Sequence, residues 1–331
     1  FGYTLEPDSW FDAAAGWLQR RHGWKVRREW MLPSPGVIPS LVFAILGLTE
    51  PGDGVIIQPP VYYPFSLRVS ANGRRVVENP LRLSGTRWEM DLEGLEKVVD
   101  DRTRLLILCS PHNPVCRVWD QASLQGLADF CLRRSIIVVS DEIHSDLVLP
   151  GSRHTPFASL SSQAAAQSVT LVSATKSFNL AGLGGSLTLI PDAGIRGRFD
   201  AVQHAIAGGP ANVFAAAASE AAWRHGEPWL DELLAYVQAN MRFLAGFLAE
   251  NLPQVTMAPQ EGTYLAWLDM RALRLSDDQI KARLHGAAGI WLDEGRMFGR
   301  GGEGFQRLNV ACPRAVLADA AERLVRAFRP S

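Results

Sequence analysis

This chain lacks a dominant sign of charge. Thirty-three Lys and Arg stand against 34 Asp and Glu, a formal net charge of −1, so no basic field favours nucleic acid or an anionic membrane. Long apolar runs are also missing. None approaches the ~20 residues that span a bilayer, and the longest candidate, 37–48, contains Pro39 and reads as a buried helix. Cysteine is scarce, with four in 331 residues and no Cys-x-x-Cys or Cys/His ligand spacing. No metal site is therefore expected. Cys109 and Cys131 sit in apolar surroundings, as reduced thiols of a cytoplasmic protein would. Repeats, low-complexity tracts and a signal peptide are not visible either. The chain opens at Phe1 instead of methionine, in a segment that reads as the middle of a domain. A removed N-terminus or a larger parent polypeptide is the expectation.

What is present is ordinary globular material, 47% hydrophobic and 20% charged, on a chain too long for one small core, so two domains are expected. Near-continuous apolar strands at 55–57, 104–108, 136–139, 169–172 and 186–190 alternate with helices at 8–22 (capped by Asp8 or Ser9), 91–99 and 120–134. That alternation predicts an α/β fold, a parallel sheet covered on both faces. From residue 211 the pattern shifts to helices at 212–224 and 229–250. Short strands follow near 255–257, 263–268, 289–292 and 305–310, then a closing helix at 315–328, which reads as a smaller α+β domain. The boundaries expected are 1–24, 25–210 and 211–331.

The stretch 168–183, SVTLVSATKSFNLAGL, organises the rest. A buried strand ends in Ser173, Ala174, Thr175 and Lys176, and lysine is rarely inside unless paired or chemically used. A lysine in an apolar pocket can attack a carbonyl to form a Schiff base. Small hydroxyls at Ser173 and Thr175 suit a phosphate, as does the helix start at Gly36 and Val37. Asp141 ends another strand, Asn113 ends a third in a turn, and Tyr62 follows the first in a proline-fixed loop. In open α/β sheets ligands bind at the carboxyl ends of strands. Arg307 alternates with Phe305 and Leu308 and can point into a cleft between domains. Each residue alone has a plainer account: a surface lysine, a packed tyrosine, an Asn-Pro turn, an exposed strand arginine. Their convergence points to pyridoxal phosphate held as an electron sink.

The motifs SPGV (34–37), PPVYYPF (59–65), CSPHNP (109–114), VVSDEIHSDL (138–147), SATKSFNLAGL (173–183), GTYLAWLD (262–269) and GFQRLNVACPR (304–314), with FGYT at 1–4, run the length of the chain in family order. In these the sequence resembles the fold-type I pyridoxal-phosphate enzymes of the aminotransferase superfamily, and most of all the bacterial C–S β-lyases of cystathionine β-lyase type. The resemblance implies a mostly parallel sheet of the seven-stranded type, with residues 1–24 as the remnant of a small domain and dimer arm. Its catalytic residues would be Lys176 as Schiff-base lysine and proton shuttle, Asp141 as pyridinium partner and Tyr62 stacked on the ring. It further implies Asn113 on the 3-oxygen and near the substrate, and Gly36, Val37, Ser173 and Thr175 on the phosphate. Arg307 would clamp the substrate's α-carboxylate. His144, implied as a further cofactor-binding residue, takes a place where aminotransferases often have tyrosine, which favours lyase chemistry. Tyr3 would reach the phosphate site of the neighbouring subunit in a homodimer.

The implied reaction is α,β-elimination of cysteine, cystathionine or an S-conjugate to thiol, pyruvate and ammonia. A transaminase is the alternative within the fold, and a non-catalytic scaffold the alternative outside it. Three departures stand out. Relative to the lyase pattern roughly sixty N-terminal residues are missing, a segment that normally lines part of the substrate pocket. Cys116 replaces the usual glycine of the NPVCRVW turn, so an altered loop near Asn113 is expected. EGTYL stands where EATYL is usual.

Overall fold

The computed structural model describes residues 5–206 and 212–329. The strands, in chain order, are β1 (Met31–Ser34), β2 (Gly54–Ile57), β3 (Arg75–Glu78), β4 (Arg82–Ser84), β5 (Arg87–Glu89), β6 (Thr103–Cys109), β7 (Ile137–Asp141), β8 (Ser168–Val172) and β9 (Ser186–Leu189). They are followed by β10 (Thr256–Met257), β11 (Leu265–Asp269), β12 (Asp293–Glu294) and β13 (Phe305–Asn309). Seven form one sheet in the order β1-β9-β8-β7-β6-β2-β3. Its centre, from β3 to β8, is parallel, whereas β9 and β1 run antiparallel at one edge. The strands adopt this arrangement because both their faces are apolar. Val55, Ile57, Ile107, Val139 and Val169 pack against helix Val37–Leu48 and Phe199. Ile56, Leu106, Leu108 and Val138 face the other way, onto Leu124, Leu127 and Phe130 of helix Gln121–Arg133.

The second sheet, β10-β11-β13-β12, is wholly antiparallel. It packs with the long helices Glu227–Asn251 and Arg314–Phe328 through Leu244, Leu268, Leu308 and Leu324. Two differences from the expected elements have clear causes. Residues 289–292 are not a strand. A π-helical turn, Arg283–Ala288, ends at left-handed Gly289, and only Asp293–Glu294 pair with β13. The first helix, Asp8–His22, is preceded by Pro7 with no side-chain cap, so Asp8 lies in its first turn instead of capping it. Among the described residues no helix is long and apolar enough to cross a membrane.

Candidate active site

A cavity of about 480 Å³ opens at the carboxyl ends of β6 and β7, and residues from both sheets line it. Lys176 lies in the short helix Ala174–Ser177 directly after β8, and Asp141 ends β7. Asn113 comes from the turn after β6, Tyr62 from the loop after β2, and Gly36 with Val37 from the start of helix Val37–Leu48. Thr175 and His144 line the same space, and Arg307 reaches it from β13. Of the residues singled out in sequence, Ser173 does not line the cavity. Its hydroxyl caps the short helix through the Thr175 N–H at 3.1 Å and donates to the Gly185 carbonyl at 2.7 Å. Because that proton is committed, the Thr175 hydroxyl must donate to Ser173 Oγ at 2.8 Å. Tyr3 lies outside the described residues.

Burial shapes the electrostatics. Asp141 is 4% exposed, and its pKa is pushed up to about 7 by burial, with Glu142 adding and the Ile143 N–H (3.1 Å) and Lys176 opposing. Burial likewise lowers His144 to about 3, helped by the positive charges of Lys176 and Arg307, so its ring is neutral. Its Nδ1 is buried without a hydrogen-bond partner among the described residues. Tyr62 is pushed above its ordinary pKa by burial and by Tyr63 beside it.

Arg307 is held on three sides. Its Nη1 donates to Asn113 Oδ1 at 2.8 Å, its Nε and Nη2 donate to Asp293 Oδ2 at 3.1 and 2.5 Å, and its plane lies over the Phe298 ring at 4.8 Å. Guanidinium has no acceptor, so the amide of Asn113 must turn its oxygen to Arg307. The loop carrying Asn113 also holds Cys116. That residue adopts φ 63°, the left-handed region that glycine occupies freely. Its thiol, pushed up to about 12 by burial, donates to the Leu265 carbonyl at 2.7 Å. The two sheets are tied here twice more. Glu261 pairs with buried Arg117 and accepts the Val118 N–H at 2.9 Å, and Val148 bridges to Gly262.

Three contributors carried no role in the sequence reading. Tyr264, inside the quoted GTYLAWLD motif, lines the cavity with its ring 6.0 Å from that of His144. Asp146 accepts from Ser177 Oγ (2.8 Å), Trp17 Nε1 (3.0 Å) and His22 Nε2 (2.7 Å), tying the segment after Lys176 to the first helix. Asp293 belongs to no motif, and only strand register places it opposite Arg307.

A seven-stranded, largely parallel sheet with a cleft at its carboxyl edge, lined also by a small antiparallel sheet, is the fold-type I transferase architecture. The chain belongs to the aminotransferase class I and II family, whose model matches residues 9–324. Among characterised relatives, cystathionine beta-lyase PatB of Bacillus subtilis (strain 168) is 46% identical over 325 residues, 98% of this chain and 84% of that protein. Protein MalY of Escherichia coli (strain K12) is 32% identical over 335 residues, 99% and 84% respectively. Among solved structures, cystalysin from Treponema denticola, which contains a pyridoxal 5'-phosphate cofactor, matches with a TM-score of 0.97. Its sequence is 37% identical, and the match covers 98% of this chain and 83% of that one.

Proposed function

We propose that this protein is a pyridoxal-phosphate-dependent C–S β-lyase acting on L-amino acids with sulfur on Cβ, and that it works as a homodimer. The observation carrying the reading is that Lys176, Asp141, Asn113 and Arg307 line one cavity, in a chain 46% identical to a cystathionine beta-lyase.

The residues present fit the cofactor. With its oxygen committed to Arg307, Asn113 is left with an NH₂ donor, suited to a phenolic oxygen. Asp141, costly to ionise without a cation nearby, has the chemistry to hold a proton on a ring nitrogen. Neutral His144 adds a further polar side chain to the lining of this site. The start of helix Val37–Leu48 offers N–H groups and a favourable dipole end to a phosphate, with Thr175 beside it. Ser173 would contribute by shaping that turn.

Bound pyridoxal phosphate supplies an electron sink for negative charge at the amino acid's Cα. The chain does the rest. Arg307 would bind the α-carboxylate and fix the amino acid's orientation, and Lys176 Nζ would take the Cα proton as general base. Asp141 would keep the ring nitrogen protonated and Tyr62 would flank the ring. The C–S bond breaks with its electron pair leaving on sulfur. With one water the balanced products are thiol, pyruvate and ammonia.

The test is a visible spectrum of the purified protein, followed by addition of L-cystathionine or an S-alkyl-L-cysteine with assays for thiol and pyruvate. A yellow protein releasing both in equal amounts is expected. Bleaching to pyridoxamine phosphate without thiol would make it a transaminase. A protein that stays colourless with added pyridoxal phosphate would leave a scaffold role.

A further inference from the structure

Asp293 faces Arg307 directly across the antiparallel pair β12–β13. It arrives there from the π-helical turn Arg283–Ala288, which Gly289 ends in the left-handed conformation at φ 62°. π-Turns of this kind recur at functional sites. One oxygen, Oδ2, accepts from both Nε and Nη2 of Arg307, while Nη1 donates to Asn113. Guanidinium carries five N–H groups. Three are thereby taken, leaving one N–H on each terminal nitrogen, the number a bidentate carboxylate requires. The arginine side chain is mostly buried, at 15% exposure, whereas that of Asp293 is 47% exposed. Its carboxylate therefore stands at the cavity rim with its aliphatic anchor in the sheet.

We propose that Asp293 is the positioning residue that aims the guanidinium of Arg307 and so sets selectivity for substrates bearing a free α-carboxylate. This rests on the reading of Arg307 as the carboxylate clamp. An arginine free about its long stem would lose that rotamer freedom each time a substrate bound. Asp293, fixed by strand pairing, removes the loss in advance by holding the side edge and leaving the end-on fork open. Phe298 packs against the guanidinium, its ring centroid 4.8 Å from Cζ.

The experiment compares the wild-type holoenzyme with Asp293→Ala, Asp293→Asn and Arg307→Ala. Dissociation constants for S-methyl-L-cysteine and for its carboxamide are read by stopped flow from the first rapid change in cofactor absorbance, before thiol is released, so the measurement does not depend on turnover. Wild type is expected to prefer the carboxylate. In Asp293→Ala that preference falls about tenfold, the scale of one hydrogen bond to a charged group, with amide affinity unchanged. Asp293→Asn, which keeps an acceptor of the same shape, recovers most of the preference. Equal weakening for both ligands would mean a purely structural role and overturn the proposal, as would tighter carboxylate binding, which would make Asp293 a competitor. If wild type shows no preference, or Arg307→Ala keeps it, the clamp reading fails and takes the proposal with it. A spectral response without thiol release would instead refute only the lyase chemistry.

Discussion

Asp141→Asn exchanges a buried carboxylate for an amide of the same shape and keeps the oxygen that accepts the Ile143 N–H. In cofactor-stripped protein the carboxyl titrates near 7 instead of its ordinary 3.8, so the folded chain holds this proton more tightly than the unfolded chain does. The contribution of this group to the stability of the stripped wild type is therefore full below about pH 4 and declines as the pH rises through about 7. Three pH units at ~1.4 kcal/mol each put the whole cost near 4 kcal/mol, and about 3 of that develops between pH 4.5 and 8. The asparagine variant has no such group. Urea unfolding of both stripped proteins at the two pH values is expected to show the variant gaining about 3 kcal/mol on wild type. The loaded enzyme should respond in the opposite sense. An adjacent carboxylate sustains a cation by roughly one to three pKa units, so thiol release by the variant should fall about ten- to a thousandfold. Parallel pH–stability curves for the two stripped proteins, or full turnover by the loaded variant, would refute this reasoning.

Lys176→Ala is expected to abolish thiol release and the absorbance of the lysine-bound cofactor while leaving the melting temperature of the stripped protein within a few degrees, because Lys176 forms no salt bridge among the described residues. Asp146→Ala should cost about 3 kcal/mol at pH 7 by leaving buried His22, Ser177 and Trp17 groups unpaired. Burial raises the Asp146 pKa, but hydrogen bonds from His22, Ser177 and Trp17 outweigh it and hold the carboxyl below its ordinary range. Its contribution is therefore present above the unfolded pKa and lost as the pH falls. Urea unfolding of the variant should converge on wild type toward acid pH, and an undiminished gap there would count against the assignment.

The central strands could be read from sequence because a sheet buried on both faces demands unbroken apolar runs, as in Leu105–Leu108 and Val169–Val172. Helix Val37–Leu48 could be read for the same reason, and its start carries Gly36 and Val37 to the cavity. Strand β1 was hidden by Pro33, which a sheet tolerates only at an edge. The direction of β9 was hidden because nothing in its Ser186–Leu189 run distinguishes parallel from antiparallel pairing. Helix Ala193–Ala205 contains two glycines and buries only Phe199 and Gln203, so it carried little periodicity. Within the site, residues at strand ends announced themselves, since topology puts ligands there. Asp293 and Asp146 did not. Each matters through a partner remote in sequence, and only register or packing brings the two together.

The Cys116 thiol on Leu265, Glu261 on Arg117 and the Val148–Gly262 bridge fasten the wall bearing Asn113 to the strand next to Arg307. A ligand meeting that wall encounters donors whose conformational entropy was surrendered when the chain folded, so little of its binding energy goes into ordering them. Under the proposed function, adaptation to sulfur substituents of different size would fall to the rest of the cavity, where Ile38, Pro39 and Tyr63 stand. One end of such a substrate would be read by a rigid template common to all amino acids, and the other by surfaces free to vary.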